Sequence, residues 1–132
     1  MRVLILGETH AQDDIFLRIL AAEKEYDAVL HTGDFEGSEF VYRELSDAPL
    51  YAIAGNNDFF SDLPNEVVIQ VGKYRVFMTH GHGYYVSAHT NRLKDAARSR
   101  HADIVMYGHT HIPEIEEGKI TIINPGSLTH PR

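Results

Sequence analysis

The chain has no cysteine, no long apolar run and no excess of basic charge, and each absence closes off a class of function. Without cysteine there are no disulfides and no thiolate ligands, so any metal must be held by nitrogen and oxygen donors. Nothing in the 132 residues approaches the roughly 18–20 consecutive apolar residues that a membrane-spanning helix requires, and no membrane partner is expected. The opening Arg2–Leu6 segment is too short for the core of a signal peptide and has no cleavage site after it, so a cytoplasmic location is the expectation. Twelve lysines and arginines stand against 19 acidic residues, a formal net charge of −7. Extended nucleic acid, whose phosphates require a basic face, is disfavoured. A small anionic substrate is not, because divalent ions bound at an acidic site reverse its local sign. Internal repeats, low-complexity tracts and a G-x-G-x-x-G dinucleotide fingerprint after the first apolar run are also missing.

What is present alternates. Val3–Leu6 is a continuous apolar run, as in a strand covered on both faces. From Asp13 to Tyr26, apolar Ile15, Phe16, Ile19, Leu20 and Ala22 recur at helical spacing against charged neighbours. Ala28–His31 reads as a second strand, Ser38–Leu45 as a short helix and Leu50–Ala54 as a third strand. This βαβαβ opening predicts a parallel sheet with right-handed crossovers. After Pro64 the pattern changes: Val67–Val71 and Tyr74–Thr79 flank Gly72-Lys73 as a hairpin, a helix is expected from Ser87 to Arg100, and Ile104–Tyr107 is a further strand. Glu114–Glu116 and Ile120–Ile123 bracket Glu117-Gly118-Lys119 as a second hairpin. With 43% hydrophobic residues the chain can build an ordinary core. The expectation is one α/β domain over residues 1–132, with parallel and antiparallel strands in β-sandwich layers flanked by helices.

Five of the nine histidines, His10, His80, His82, His109 and His111, follow directly on these apolar runs. Glu8, Asp34 and Asn56 stand at the same strand ends, each next to a glycine or one residue removed from it. In open α/β sheets ligands bind outside the carboxyl ends of the strands. If the chain stays extended, Glu8 and His10 point to similar sides, as do His109 and His111. Imidazole, carboxylate and amide donors suit Mn²⁺, Fe²⁺, Ni²⁺ or Zn²⁺. Seven donors are too many for one ion that must keep a position open. Two ions about 3.5–4 Å apart, with Asp34 as bridging carboxylate, are the sensible arrangement.

Taken in order, Glu8-x-His10, Gly33-Asp34, Gly55-Asn56-Asn57-Asp58, His80-Gly81-His82 and Gly108-His109-Thr110-His111 resemble the calcineurin-like metallophosphoesterases. The likeness is greatest to their small prokaryotic phosphodiesterase branch (the YfcE type), and Asn124-Pro125-Gly126-Ser127 fits it too. The resemblance implies one metal held by Glu8, His10, Asp34 and His111, and a second held by Asp34, Asn56, His80 and His109. It implies Mn²⁺ as the leading cofactor and attack on a small phosphodiester by a metal-bridging hydroxide, with no covalent enzyme intermediate.

Three departures from the family pattern stand out. Its first motif is usually Asp-x-His, and the extra methylene of Glu8 shifts the carboxylate where ligand distances tolerate only about ±0.2 Å. Many relatives carry a proton-donating histidine where Asn57 stands. An amide cannot supply that proton, which leaves His82 or a metal-bound water to protonate the leaving group, with Asp58 orienting the neighbouring groups. Relatives also continue into more strands beyond the Pro-Gly-Ser segment. The chain is then a short form or a truncated one, with a sheet edge left uncovered and pairing with a second copy open.

The remaining candidates have plainer readings. His31, His89, His101 and His130 are read as surface or hydrogen-bonded core residues, and Met78 and Met106 as core filler. Phe59-Phe60, beside the metal loop, are read as core in preference to a wall contacting the organic part of the substrate. Tyr84-Tyr85 are divided between rim packing and substrate contact. The leading expectation is a hydrolase, a metal-dependent phosphodiesterase rather than a monoesterase, because the resemblance is to the phosphodiesterase branch and no lysine or arginine sits in the five motifs to clamp a dianion. The alternative is a catalytically weak, protein-binding scaffold of the same fold, like the retromer subunit Vps29, which would need an exposed apolar patch. A third is a phosphate-sensing module without turnover.

Overall fold

The computed structural model describes residues 2–7, 18, 26–33, 48–55, 58 and 63–127. Two sheets account for its architecture. The first has three parallel strands in the order β1 (Val3–Leu6), β2 (Ala28–His31) and β3 (Leu50–Ala52), with Leu4 opposite Val29 and Leu30 opposite Tyr51. The second contains β4 (Glu66–Val71), β5 (Tyr74–Thr79), β6 (Ile104–Met106), β7 (Glu114–Glu116) and β8 (Thr121–Asn124), in the order β4-β5-β6-β8-β7. Its three central strands are parallel and the outer pairs, β4/β5 and β7/β8, are antiparallel hairpins. A 3₁₀ turn, His82–Tyr84, and a helix, α1 (Asn91–Ser99), lie between β5 and β6.

Alternation along the strands decides which side chain goes where. Ala28 and Leu30 of β2 meet Val76 and Met78 of β5 and Met106 of β6, and this cluster is the core between the sheets. The odd-numbered partners Phe77 and Val105, with Ile122, face the other way and receive Leu93 and Ala97 of α1. On the outside of the first sheet, Leu6, Val29 and Ala52 form a third cluster. The mixed-sheet sandwich expected from the sequence is therefore the fold observed, and Met78 and Met106 are core residues as read.

Several boundaries moved, with β4 starting at Glu66 rather than Val67 and β8 running Thr121–Asn124 rather than Ile120–Ile123. β3 ends at Ala52 rather than Ala54, and β6 ends at Met106 rather than Tyr107. The helix expected from Ser87 begins only at Asn91. Residues 82–88 wind as a 3₁₀ turn and further turns, with Tyr85 left-handed at φ 57° and its ring under the Arg92 guanidinium at 4.7 Å. Of the helix expected over 13–26, only Arg18, which is helical, and Tyr26, which is not, are described. The helix expected over 38–45, Phe59-Phe60 and His130 lie outside the described residues. Among the described residues no helix is long and apolar enough to cross a membrane.

An apolar cavity of about 450 Å³ opens between the sheets towards the starts of β1, β5 and β6, lined by Val3, Leu30, Tyr74, Val76 and Ile104 among others. No histidine lines it. Among the described residues, His80, His82 and His109 gather beyond the opposite, carboxyl ends of β5 and β6.

Candidate metal centre

Close packing of backbone brings the strand ends together. A Cβ on Gly7, just beyond β1, would lie 2.7 Å from the Gly126 carbonyl oxygen and 2.8 Å from the Thr32 hydroxyl. A Cβ on Gly33, just beyond β2, would lie 2.6 Å from His80 Nδ1 and 2.9 Å from the Gly55 nitrogen. Gly33 also has φ 111°, so glycine is required there twice over, for conformation and for space. The ends of β1, β2, β3, β5 and β8 thus meet in one region, with the two sheets touching through Gly33 and His80.

His80 continues the inward-facing series Val76 and Met78 at the end of β5, and it is fully buried. Its Nδ1 lies 2.9 Å from the Thr32 carbonyl. A carbonyl can only accept, so Nδ1 carries the proton, and in the neutral ring the lone pair is at Nε2. That arrangement, one ring nitrogen committed to a backbone oxygen and the other basic, is how metal-ligating histidines are oriented. The His82 ring lies 5.3 Å from that of His80 and the His109 ring 5.3 Å from it on another side, with 6.1 Å between His82 and His109. His82 is exposed to solvent, whereas His109 and His111 are half-buried.

The segment carrying the last two histidines is not extended. His109 and His111 both adopt left-handed backbone, φ 69° and 62°, so the two-residue alternation expected for them does not apply. Left-handed backbone costs a non-glycine residue about 1–2 kcal/mol. Backbone hydrogen bonds fix the start of the segment at Gly108. The Gly108 N–H donates to the His80 carbonyl at 3.0 Å, and the Thr110 N–H donates to the Gly108 carbonyl at 2.8 Å.

Asp58 is placed as a loop support. Its carboxylate accepts the Gly55 N–H at 2.7 Å and its own N–H donates to the Gly55 carbonyl at 3.2 Å, which ties Asp58 to the residue just beyond β3. His31 is fully buried, and its Nδ1 accepts the Gly33 N–H at 3.1 Å, so this ring serves the backbone as expected. His89 and His101 are exposed. Tyr84 resolves to packing: its hydroxyl donates to Glu66 at 2.7 Å and its ring meets Phe77 edge-on, while burial first and Glu66 second push its phenol pKa up. Asn124 is a site residue whose role the sequence did not reveal. It is 2% exposed, and its amide reaches the His109–His111 segment. The signal for it lay only in its place within Asn124-Pro-Gly-Ser127.

Glu8, His10, Asp34, Asn56 and Asn57 lie outside the described residues. Among the described residues no three His, Asp or Glu side chains make a metal cage by themselves. The described part nonetheless fits a divalent ion chemically: imidazoles gathered around a buried ring whose Nδ1 is committed to a backbone oxygen are borderline donors. Beside the Thr110 segment runs a cleft of about 410 Å³ lined by Val86, His89, Tyr107, Ile112 and Glu114 among others, wide enough for a small organic group.

Known proteins share this arrangement of sequence and fold. The probable metallophosphoesterase YsnB of Bacillus subtilis is 33% identical over 135 residues, spanning 100% of this chain and 78% of its own length. The phosphodiesterase MJ0936 of Methanocaldococcus jannaschii is 30% identical over 145 residues, spanning 96% of this chain and 83% of its own. Among solved structures, wild-type Vps29 of Entamoeba histolytica complexed with zinc superposes with a TM-score of 0.83 at 29% identity, covering 100% of this chain and 77% of that one. The family profile described as the calcineurin-like phosphoesterase superfamily domain matches residues 1–132. The chain belongs to the calcineurin-like phosphoesterase superfamily.

Proposed function

We propose that this protein is a dinuclear metal-dependent phosphodiesterase acting on a small phosphodiester. The observation that carries the reading is the gathering of the His80, His82 and His109 rings within 5.3–6.1 Å at the strand ends, around a buried imidazole whose proton is fixed by Thr32. The phosphodiesterase relative at 30% identity supports the reaction class. Glu8, His10, Asp34 and His111 are assigned to one ion, and Asp34, Asn56, His80 and His109 to the other, with Mn²⁺ the first choice for this N/O set. When bound, such a pair supplies Lewis-acid activation of water and neutralises charge on the phosphoryl oxygens.

The chain's own groups do the rest. Thr32 holds His80 in one tautomer, and Asp58 is tied to Gly55, next to the Asn56 assigned as a ligand. Asn57 donates an amide hydrogen to a phosphoryl oxygen. In the overall reaction water adds at phosphorus, the ester P–O bond breaks, and the departing oxygen takes a proton. His82 is assigned that proton transfer through an imidazole N–H, because it is exposed beside the cluster yet outside both ligand sets. The cleft lined by Val86, Tyr107 and Ile112 takes the organic part of the substrate. The test is hydrolysis of bis(p-nitrophenyl) phosphate by the Mn²⁺-loaded chain. Turnover that disappears in His109→Ala is the expected result, and metal-replete protein inert towards every aryl phosphodiester would end the reading.

A second reading, a protein-binding scaffold of the same fold, is favoured by the likeness to Vps29 over the whole chain and by Ile115 on the edge strand β7, 73% exposed. Poor metal retention combined with partner binding through Ile115 would favour it over the enzyme.

A further inference from the structure

Two left-handed histidines within three residues keep their shape only if the surroundings over-determine it. The surroundings here converge on one hydroxyl. Thr110 Oγ1, between the two histidines, accepts the Ile112 N–H at 3.2 Å and the Asn124 side-chain amide at 2.9 Å. The same amide nitrogen reaches the Gly108 carbonyl at 3.3 Å, on the other side of His109. Asn124 is itself held in one orientation, because its Oδ1 accepts the Gly126 N–H at 2.9 Å. That contact also assigns the amide, with oxygen towards Gly126 and NH₂ towards the loop. A buried side chain at the end of β8 therefore grips the β6–β7 connection before and after His109 and sets its backbone from outside.

We infer that Asn124, acting through the Thr110 hydroxyl, is the positioning residue that sets the metal affinity of the His109–His111 segment; this rests on the metal reading above. The chemistry is specific to an amide and a hydroxyl. A carboxylate at 124 would keep the acceptor for Gly126 but bring a second acceptor against the Gly108 carbonyl and Thr110 Oγ1. Valine at 110 has nearly the shape of threonine but leaves the Asn124 amide and the Ile112 N–H without that acceptor. Serine at 110 keeps it. Outer partners of this kind change metal affinity by about 10–100-fold.

The experiment is a titration of the full chain, stripped of metal by chelation, with Co²⁺ alone, followed by its visible absorption. Wild type, Thr110→Ser, Thr110→Val and Asn124→Asp are run side by side. The expected result is wild-type affinity and spectrum in Thr110→Ser. Thr110→Val and Asn124→Asp are expected to bind about 10–100-fold more weakly, with a changed band shape at saturation. Unchanged binding and spectrum in Thr110→Val overturns the inference and leaves the metal reading intact. Equal losses in Thr110→Ser and Thr110→Val overturn it too, since the hydroxyl would then not be the link. A wild-type chain that takes up no Co²⁺ overturns both. Should Asn124→Asp not fold, the two substitutions at the half-buried Thr110 decide.

Discussion

His82 and Gly33 show how differently single residues serve this site. The His82 imidazole stands 5.3 Å from the His80 ring and is open to solvent. If it delivers the proton to the leaving group, His82→Ala leaves metal content unchanged and lowers kcat by about 10²–10⁴-fold on an alkyl phosphodiester. The loss shrinks on a p-nitrophenyl ester, whose leaving group needs little protonation. Equal losses on both substrates would remove His82 from that role. Gly33→Ala acts through the backbone instead. The new methyl meets His80 Nδ1 and the Gly55 nitrogen, at a φ of 111° that alanine rarely adopts. We expect a loss of at least about 1–3 kcal/mol in urea denaturation, accompanied by lost metal uptake. The gathering of His80, His82 and His109 was legible because they follow apolar runs beside a glycine. The left-handed turns at His109 and His111 were not, since they are imposed by Asn124, 13 to 15 residues away in the chain.

Among the elements, α1 covers the outer face of the second sheet with Leu93 and Ala97. Leu93 is fully buried, so Leu93→Ala is expected to cost about 2–5 kcal/mol in urea denaturation. Elsewhere, Arg100 runs from the end of α1 to Glu66 of β4 at 2.6 Å and lies over the Phe77 ring at 4.5 Å, binding helix to sheet from the side. Tyr107, just beyond β6, is tied to β7 by its hydroxyl, which donates to Glu114 at 2.8 Å. Burial first, and that hydrogen bond second, hold the phenol pKa well above its ordinary value near 10. The folded state therefore keeps this proton after the unfolded chain has lost it. The resulting stability is complete below pH 10 or so and drains away as pH rises towards the folded-state value. Tyr107→Phe is expected to flatten the fall of stability above about pH 10. Strands were readable from sequence because Val3–Leu6, Ala28–His31 and Tyr74–Thr79 are apolar or alternating runs with clear breaks. The start of α1 was not: residues 82–88 contain no proline, and their turns rest on Tyr85 packing under Arg92.

For the whole molecule, metal loading and folding are expected to move together. A ligand that binds only the folded chain stabilises it by about 2.7 kcal/mol at 100 times its dissociation constant. Mn²⁺ should accordingly raise the Tm and a chelator return it to the apo value. A Tm indifferent to both would count against a resident metal and bring the scaffold reading forward. The sandwich itself could be inferred from the sequence because its two halves carry different patterns, parallel crossovers before Pro64 and hairpins after it. The contact between those halves could not, because no local pattern announces that Gly33 will lie against His80. That contact gives the centre a second character. The ring belongs to one layer and the oxygen that orients it to the other, so the donor is poised only while the seam between them stays shut. The dependence runs both ways, as any linkage must. On the metal reading proposed above, whatever prises the layers apart disarms the centre and whatever occupies it stitches the layers together, so that activity would register how the two halves fit rather than the soundness of either one.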